Sequence, residues 1–145
     1  MKPDKSKFSI KPFYQKVNKP WGYEIILTPP ELSVTGKILH LDNGKRFSLQ
    51  YHDKKEETLT LFSGEAYIIL EDKDGKMGKI KMETNKAYFI RPFQKHRCQG
   101  IKDCLILEAS TKEKGNTVRL EDDYGRGTET EEKRKKRGES KVYMG

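Results

Sequence analysis

Apolar and polar residues alternate along most of this chain, in runs of five to eight that end at turn-forming residues. KPWGYEIILT (19–28) carries a Pro-Trp-Gly turn followed by a strand, which Pro29-Pro30 closes. GKILHL (36–41), EAYIIL (65–70), GKIKME (78–83), KAYFIR (86–91), CLILEAS (104–110) and TVRLED (117–122) read as further strands. Asp42-Asn43-Gly44 is a strong turn, and Asp72 to Lys76 with Gly75 closes a hairpin. Residues 1–18 read as a polar arm with one short strand around Phe8 to Ile10. No segment sustains a 3.6-residue apolar period, so few or no helices are expected. Many short strands with regular turns predict an all-β sandwich or barrel.

The alternation is most informative in residues 44–64, GKRFSLQYHDKKEETLTLFSG. Gln50 and His52 are two apart, so in a strand they share a face with Ser48, while Phe47, Leu49 and Tyr51 point the other way. Asp53 to Glu56 is too charged for a core and reads as a turn. Glu57 opens the next strand and shares its face with Leu59 and Leu61. Paired as a hairpin, the two strands bring an amide, an imidazole and a carboxylate to one point, which is half of a divalent-metal site. His96 follows a proline-containing turn and starts the strand HRCQ, so it can supply the closing ligand. Cys98 reads as a buried, inert cysteine. His40 reads as a core or surface histidine, and Trp21 as a packing anchor after its turn.

Composition divides the chain further. Charged residues make up 36% and apolar residues 33%, against about 25% and roughly 45–50% in an average globular chain. That balance points to one compact domain at 19–127, between the arm at 1–18 and a charged, flexible tail at 128–145. No run approaches a membrane span of about 18 apolar residues, no signal-peptide core is present, and two cysteines give no disulfide framework. A cytoplasmic protein is the default expectation. The net charge of +8 includes a basic run, Lys133 to Arg137. The run follows Glu129, Glu131 and Glu132 without apolar periodicity, which favours solvated ends over a nucleic-acid surface. Positive charge can also attract a phosphorylated small molecule.

The spacing from Gly44 through Gln50, His52 and Glu57 to Gly64 resembles the first motif of the cupins, with glutamine at the first histidine. Arg91 to His96 is similar to their second motif, with Arg91 at its proline and Phe93 at its glycine. SLQYH with Glu57, KPWG (19–22) and VRLEDDYGR (118–126) together resemble the cupin domain of type II mannose-6-phosphate isomerases, over about residues 17–127. The resemblance implies a double-stranded β-helix, or jelly-roll barrel, with Gln50, His52, Glu57 and His96 as metal ligands. It also puts Arg119, Glu121 and Arg126 on the signature associated with the isomerase activity. Thr58-Leu59 and Lys55 depart from the His-Trp and arginine found around the family's glutamate.

Two imidazoles, a carboxylate and an amide suit Mn, Fe, Co, Ni or Zn as divalent ions, and such an ion can act as a Lewis acid. The activity implied is aldose–ketose interconversion of a sugar phosphate through an enediolate stabilised by the cation. Arg119 and Arg126 are suited to hold phosphate. Glu121 reads equally as the base or as a salt bridge to one of those arginines. A metal-containing cupin that binds a small sugar or acid without turnover is the alternative. An iron oxygenase is disfavoured, because the glutamine takes a position that dioxygen needs. The Phe47-Leu49-Tyr51 stripe, together with what is common among cupins, implies a homodimer.

Overall fold

The computed structural model describes residues 1–140, with side chains through Lys136. Among these residues eleven strands and one helix follow one another. They are β1 (Gln15–Lys19), β2 (Gly22–Ile26), β3 (Val34–Leu41), β4 (Leu49–His52), β5 (Glu57–Ser63), β6 (Ala66–Glu71), β7 (Met77–Lys81), β8 (Ala87–Ile90), β9 (His96–Gly100), β10 (Cys104–Thr111), β11 (Thr117–Glu121) and α1 (Glu131–Ser140). They build a six-stranded sheet in the order β1-β2-β3-β10-β5-β8 and a five-stranded sheet in the order β11-β4-β9-β6-β7. All pairings are antiparallel.

Period-two alternation decides what lies between the sheets. Glu57, Leu59 and Leu61 of β5 are buried, while Thr58, Thr60 and Phe62 face out. Leu39 and Leu41 of β3, Ile68 of β6, Cys98 of β9 and Cys104 and Ile106 of β10 complete an apolar floor with Trp21 and Phe47. Burial pushes the Cys98 thiol well above its ordinary range, as fits an inert core cysteine. Trp21 packs edge-on to Phe47 at 6.1 Å, as an anchor after its turn. His40 is half-buried and stacks on Tyr23 at 4.7 Å. The bounding glycines both have positive φ, 76° at Gly44 and 82° at Gly64. At Gly64 a side chain would run into the Asp103–Cys104 backbone.

Four local expectations are corrected. β4 and β5 do not pair as a hairpin: β4 lies between β11 and β9, and β5 between β10 and β8. The chain changes sheets at Asp53–Glu56, which is the jelly-roll crossing. Phe47 is not on an outer stripe, because residues 47–48 precede the strand and are irregular, which lets Phe47 turn into the core. The large apolar side chains left outside include Phe62, Phe89 and Leu107, on the outer face of the six-stranded sheet. Residues 8–10 form no strand, whereas Gln15–Lys19 pairs fully with β2. Beyond residue 127, Glu131–Ser140 is helical, and the last five residues of that charged stretch lie outside the described residues. Thr130 caps the helix, its hydroxyl accepting from the Lys133 amide at 3.1 Å.

Candidate metal centre and binding cavity

Three of the four expected ligands meet where the sheets face each other. His52 comes from the end of β4, Glu57 from the start of β5 and His96 from the start of β9. Glu57 Oε1 lies 3.3 Å from His52 Nε2 and 3.0 Å from His96 Nε2, and all three residues are buried. The outer ring nitrogens are engaged elsewhere. His96 Nδ1 donates to the Gln94 carbonyl at 2.9 Å, and His52 Nδ1 meets the Thr117 hydroxyl at 2.9 Å. A carbonyl only accepts, so His96 carries a proton on Nδ1, and Nε2 is the ring nitrogen turned toward Glu57. His96 Nε2 is fully buried with no hydrogen-bond partner of its own. At 3.0 Å from a carboxylate that nitrogen needs a proton or a cation between them, and the donor set fits a divalent ion.

Gln50 is the cross-strand partner of His96 and lines the same cavity as His52 and Glu57. Its side-chain oxygen accepts from Ser48 Oγ at 2.6 Å, which leaves a second lone pair for a ligand role. Phe93 takes a φ of 68°, so the glycine position of the second motif keeps glycine's backbone shape with a phenylalanine on it. The Phe93 amide donates to the His52 carbonyl at 2.7 Å, tying the turn before His96 to the end of β4.

A cavity of about 380 Å³ opens beside this trio. Its wall contains a residue that the sequence placed in a solvated turn. Lys55 is only 4% exposed, and its ammonium lies 3.3 Å from Glu57 Oε2, 3.0 Å from Glu108 and 3.0 Å from Glu113. Lys37 shares Glu113 at 2.9 Å and approaches Glu24 at 3.9 Å. Burial works against the charged form of each group, and the balance differs from one to the next. At Glu57 burial opposes ionisation, but its neighbours, the Lys55 charge foremost, outweigh it and hold the carboxyl well below its usual range. At Lys55 burial is likewise outweighed, here by Glu108, Glu57 and Glu113, and the ammonium is held well above its usual range. At Glu108 burial wins and raises the carboxyl above its usual range, despite Lys55. At His52 burial lowers the imidazole, against the opposing contact with Glu57.

The three signature residues separate. Arg119 pairs opposite Gln50 and lines the cavity, and so does Arg126. Arg119 Nη1 donates to the Gly127 carbonyl at 2.6 Å, and Arg126 makes a forked contact with Asp122 at 3.0 and 3.1 Å. Glu121 is not brought to them. The register slips between Arg119 and Glu121, so Glu121 pairs opposite Leu49 rather than facing the cavity. Its side chain is 68% exposed and meets Arg97 at 3.4 Å, not Arg119 or Arg126. With Arg46 on Asp123 at 2.7 Å and the Tyr124 hydroxyl donating to the Arg46 carbonyl at 3.1 Å, the loop after β11 is clasped to the five-stranded sheet.

Lys55, Glu108, Glu24, Lys37 and Glu113 are the cavity residues that the sequence reading missed. Glu108 left a signal: it shares the inward parity of Cys104 and Ile106 in an otherwise apolar strand. Lys55 left a fainter one, since it stands two residues before Glu57 where the resembling family has an arginine, but its partners Glu108 and Glu113 lie more than fifty residues along the chain.

No family-level sequence model matches the chain, and no curated protein matches it in sequence. Solved structures do. The manganese(II)-containing oxalate decarboxylase of Bacillus subtilis superposes with a TM-score of 0.59 at 13% identity, over 81% of this chain and 30% of that one. The capsular polysaccharide assembling protein CapF of Staphylococcus aureus gives 0.61 at 12% identity, over 88% and 33%. KdgF from a Halomonas species gives 0.58 at 15% identity, over 70% and 89%. This chain has the cupin fold. It spans a third or less of the oxalate decarboxylase and CapF chains, and most of KdgF. Among the described residues no helix is long and apolar enough to cross a membrane.

Proposed function

We infer that this cupin is a metal-dependent enzyme acting on a small anionic substrate, and that the substrate is a sugar phosphate undergoing aldose–ketose isomerisation. The observation that carries the reading is the convergence of His52, Glu57 and His96, with His96 Nε2 3.0 Å from Glu57, beside a cavity whose charged side chains are mainly basic. A divalent ion held by those three residues and Gln50 would supply Lewis acidity to the substrate's carbonyl and adjacent hydroxyl. Support for metal also comes from the manganese(II) centres of the oxalate decarboxylase relative. In this reading Arg119 and Arg126 hold the phosphate, since both line the cavity and guanidinium binds such oxygens in pairs. Glu121 faces away from the cavity, so the proton moved between C1 and C2 is assigned to Glu108, a cavity carboxyl whose range burial has raised. The reading includes a homodimer, for which Phe62, Phe89 and Leu107 on one outer sheet face offer the apolar surface.

The test is proton exchange at C2 of mannose 6-phosphate or fructose 6-phosphate in deuterated water, followed by NMR on metal-loaded protein. Exchange that disappears in Glu108→Gln, with bound metal retained, is the expected result. Tight binding of either sugar phosphate with no exchange would leave a binding cupin without turnover. Alanine at Gln50 or His52 should lower bound-metal stoichiometry, and unchanged metal in both variants would reject the centre itself. A single monomeric boundary in sedimentation velocity would reject the dimer.

A further inference from the structure

The charged C-terminal segment looked like solvated chain in the sequence, but its first turn of helix is built into the cavity wall. Glu131 Oε1 accepts from the Gly115 amide at 2.7 Å, and Thr117 and Glu129 exchange backbone hydrogen bonds at 2.8 and 2.9 Å. These contacts dock α1 on the segment that also carries the Thr117 hydroxyl, the partner of His52. One side chain of the helix then reaches inward. Arg134 lines the cavity that His52, Glu57, Arg119 and Arg126 line, and its side chain is 19% exposed.

The two ends of the Arg134 guanidinium are used differently. Nη1 donates to the Gly115 carbonyl at 3.2 Å, which holds the side chain against the barrel. Nη2 lies 3.8 Å from Glu113 and 3.9 Å from Glu129, beyond hydrogen-bond reach of both, and is buried with no hydrogen-bond acceptor. Glu113 has closer partners than Arg134. Glu113 already takes Lys37 and Lys55 at 2.9 and 3.0 Å, and their charges keep it ionised well below its usual range against burial. Seven basic side chains against five acidic ones line the whole cavity, so it carries excess positive charge before any metal is bound. A buried guanidinium nitrogen without an acceptor, in a positively charged cavity, is suited to an anionic oxygen.

We propose that Arg134, delivered by α1, is a binding residue for the anionic group of the ligand, so that the C-terminal helix is part of the binding site rather than an appendage. The proposal rests on the reading of an anionic substrate in this cavity and adds a residue from outside the closing signature. It also gives the basic run a use: Arg134 faces the cavity, while Lys133, Lys135 and Lys136 stay exposed on the helix.

The experiment uses the full chain loaded with Mn²⁺ and measures binding of inorganic phosphate and of mannose 6-phosphate by calorimetry, with mannose as the uncharged control. Arg134→Gln should raise the dissociation constant for both anions at least tenfold, leaving bound-metal stoichiometry and helical circular dichroism unchanged. Arg134→Lys should recover part of the loss, since it keeps the charge but not the fork. Affinity for both anions within twofold of the parent protein in Arg134→Gln, while Arg126→Gln loses it, would overturn the proposal and leave the anionic-substrate reading standing. A parent protein that binds neither anion would remove both.

Discussion

Two charged clusters in this molecule use the same residue types, one inside the barrel and one at its edge. Inside, Lys55 is enclosed by Glu57, Glu108 and Glu113, with Lys37 behind them. At the edge, Arg97, Arg46 and Arg126 take Glu121, Asp123 and Asp122. The inner groups have given up water, so each must be matched by a neighbour, and the mismatch left at Glu108 shows as a carboxyl that holds its proton more tightly. The edge carboxylates keep much of their hydration, apart from Asp122, and their pairs mainly fix where a loop lies. Charge density along the chain does not separate the two. What separates them is the exposure of the partners: Glu121 and Asp123 are 68% and 40% exposed, whereas Glu57 and Glu108 are 3% and 7%.

Substitutions can sharpen or break that contrast. Lys55→Met leaves the buried carboxyls of Glu57 and Glu108 without their shared cation and should cost about 3–5 kcal/mol of stability in metal-free protein, read from urea unfolding. A cost no larger than that of an edge pair would dissolve the distinction. Asp123→Asn removes a forked but exposed partner of Arg46 and should cost roughly 0.2–1 kcal/mol, with the difference shrinking as salt is added. Glu121→Gln should fall in the same small range of about 0–1 kcal/mol and leave C2 proton exchange intact. A collapse of exchange in that variant would return Glu121 to the chemistry. Phe93→Gly trades a strained backbone conformation for glycine's own entropy cost, so a net gain of at most about 1 kcal/mol is expected. A loss there would mean that the Phe93 ring, 5.8 Å from that of Tyr51, contributes more than its backbone costs.

Much of this was legible from alternation alone. Glu57, Leu59 and Leu61 fall inward and Thr58 and Thr60 outward, as period two requires, and His96 does open a strand that brings it to Glu57. The failures share one cause, a break in the period. Phe47 sits in an irregular step before β4, so counting back from Gln50 gives it the wrong face. Leu120 is the extra residue in the slipped register of β11, so counting on from Arg119 gives Glu121 the wrong face. Sheet partnership was a separate blind spot: a four-residue polar link looks like a hairpin whether the next strand joins the same sheet or the opposite one. The burial of Lys55 follows from that crossing, and its partners on β10 and just beyond it could not be read locally.

The crossing at Asp53–Glu56 has a further consequence. His52 and His96 belong to the five-stranded layer and Glu57 to the six-stranded one, so an ion between them would act as a rivet through the seam. Loading and cohesion would then be one property. Stripping the ion should loosen the two layers from each other before either layer frays, and the heat tolerance of the protein should rise with free metal concentration, as linkage requires.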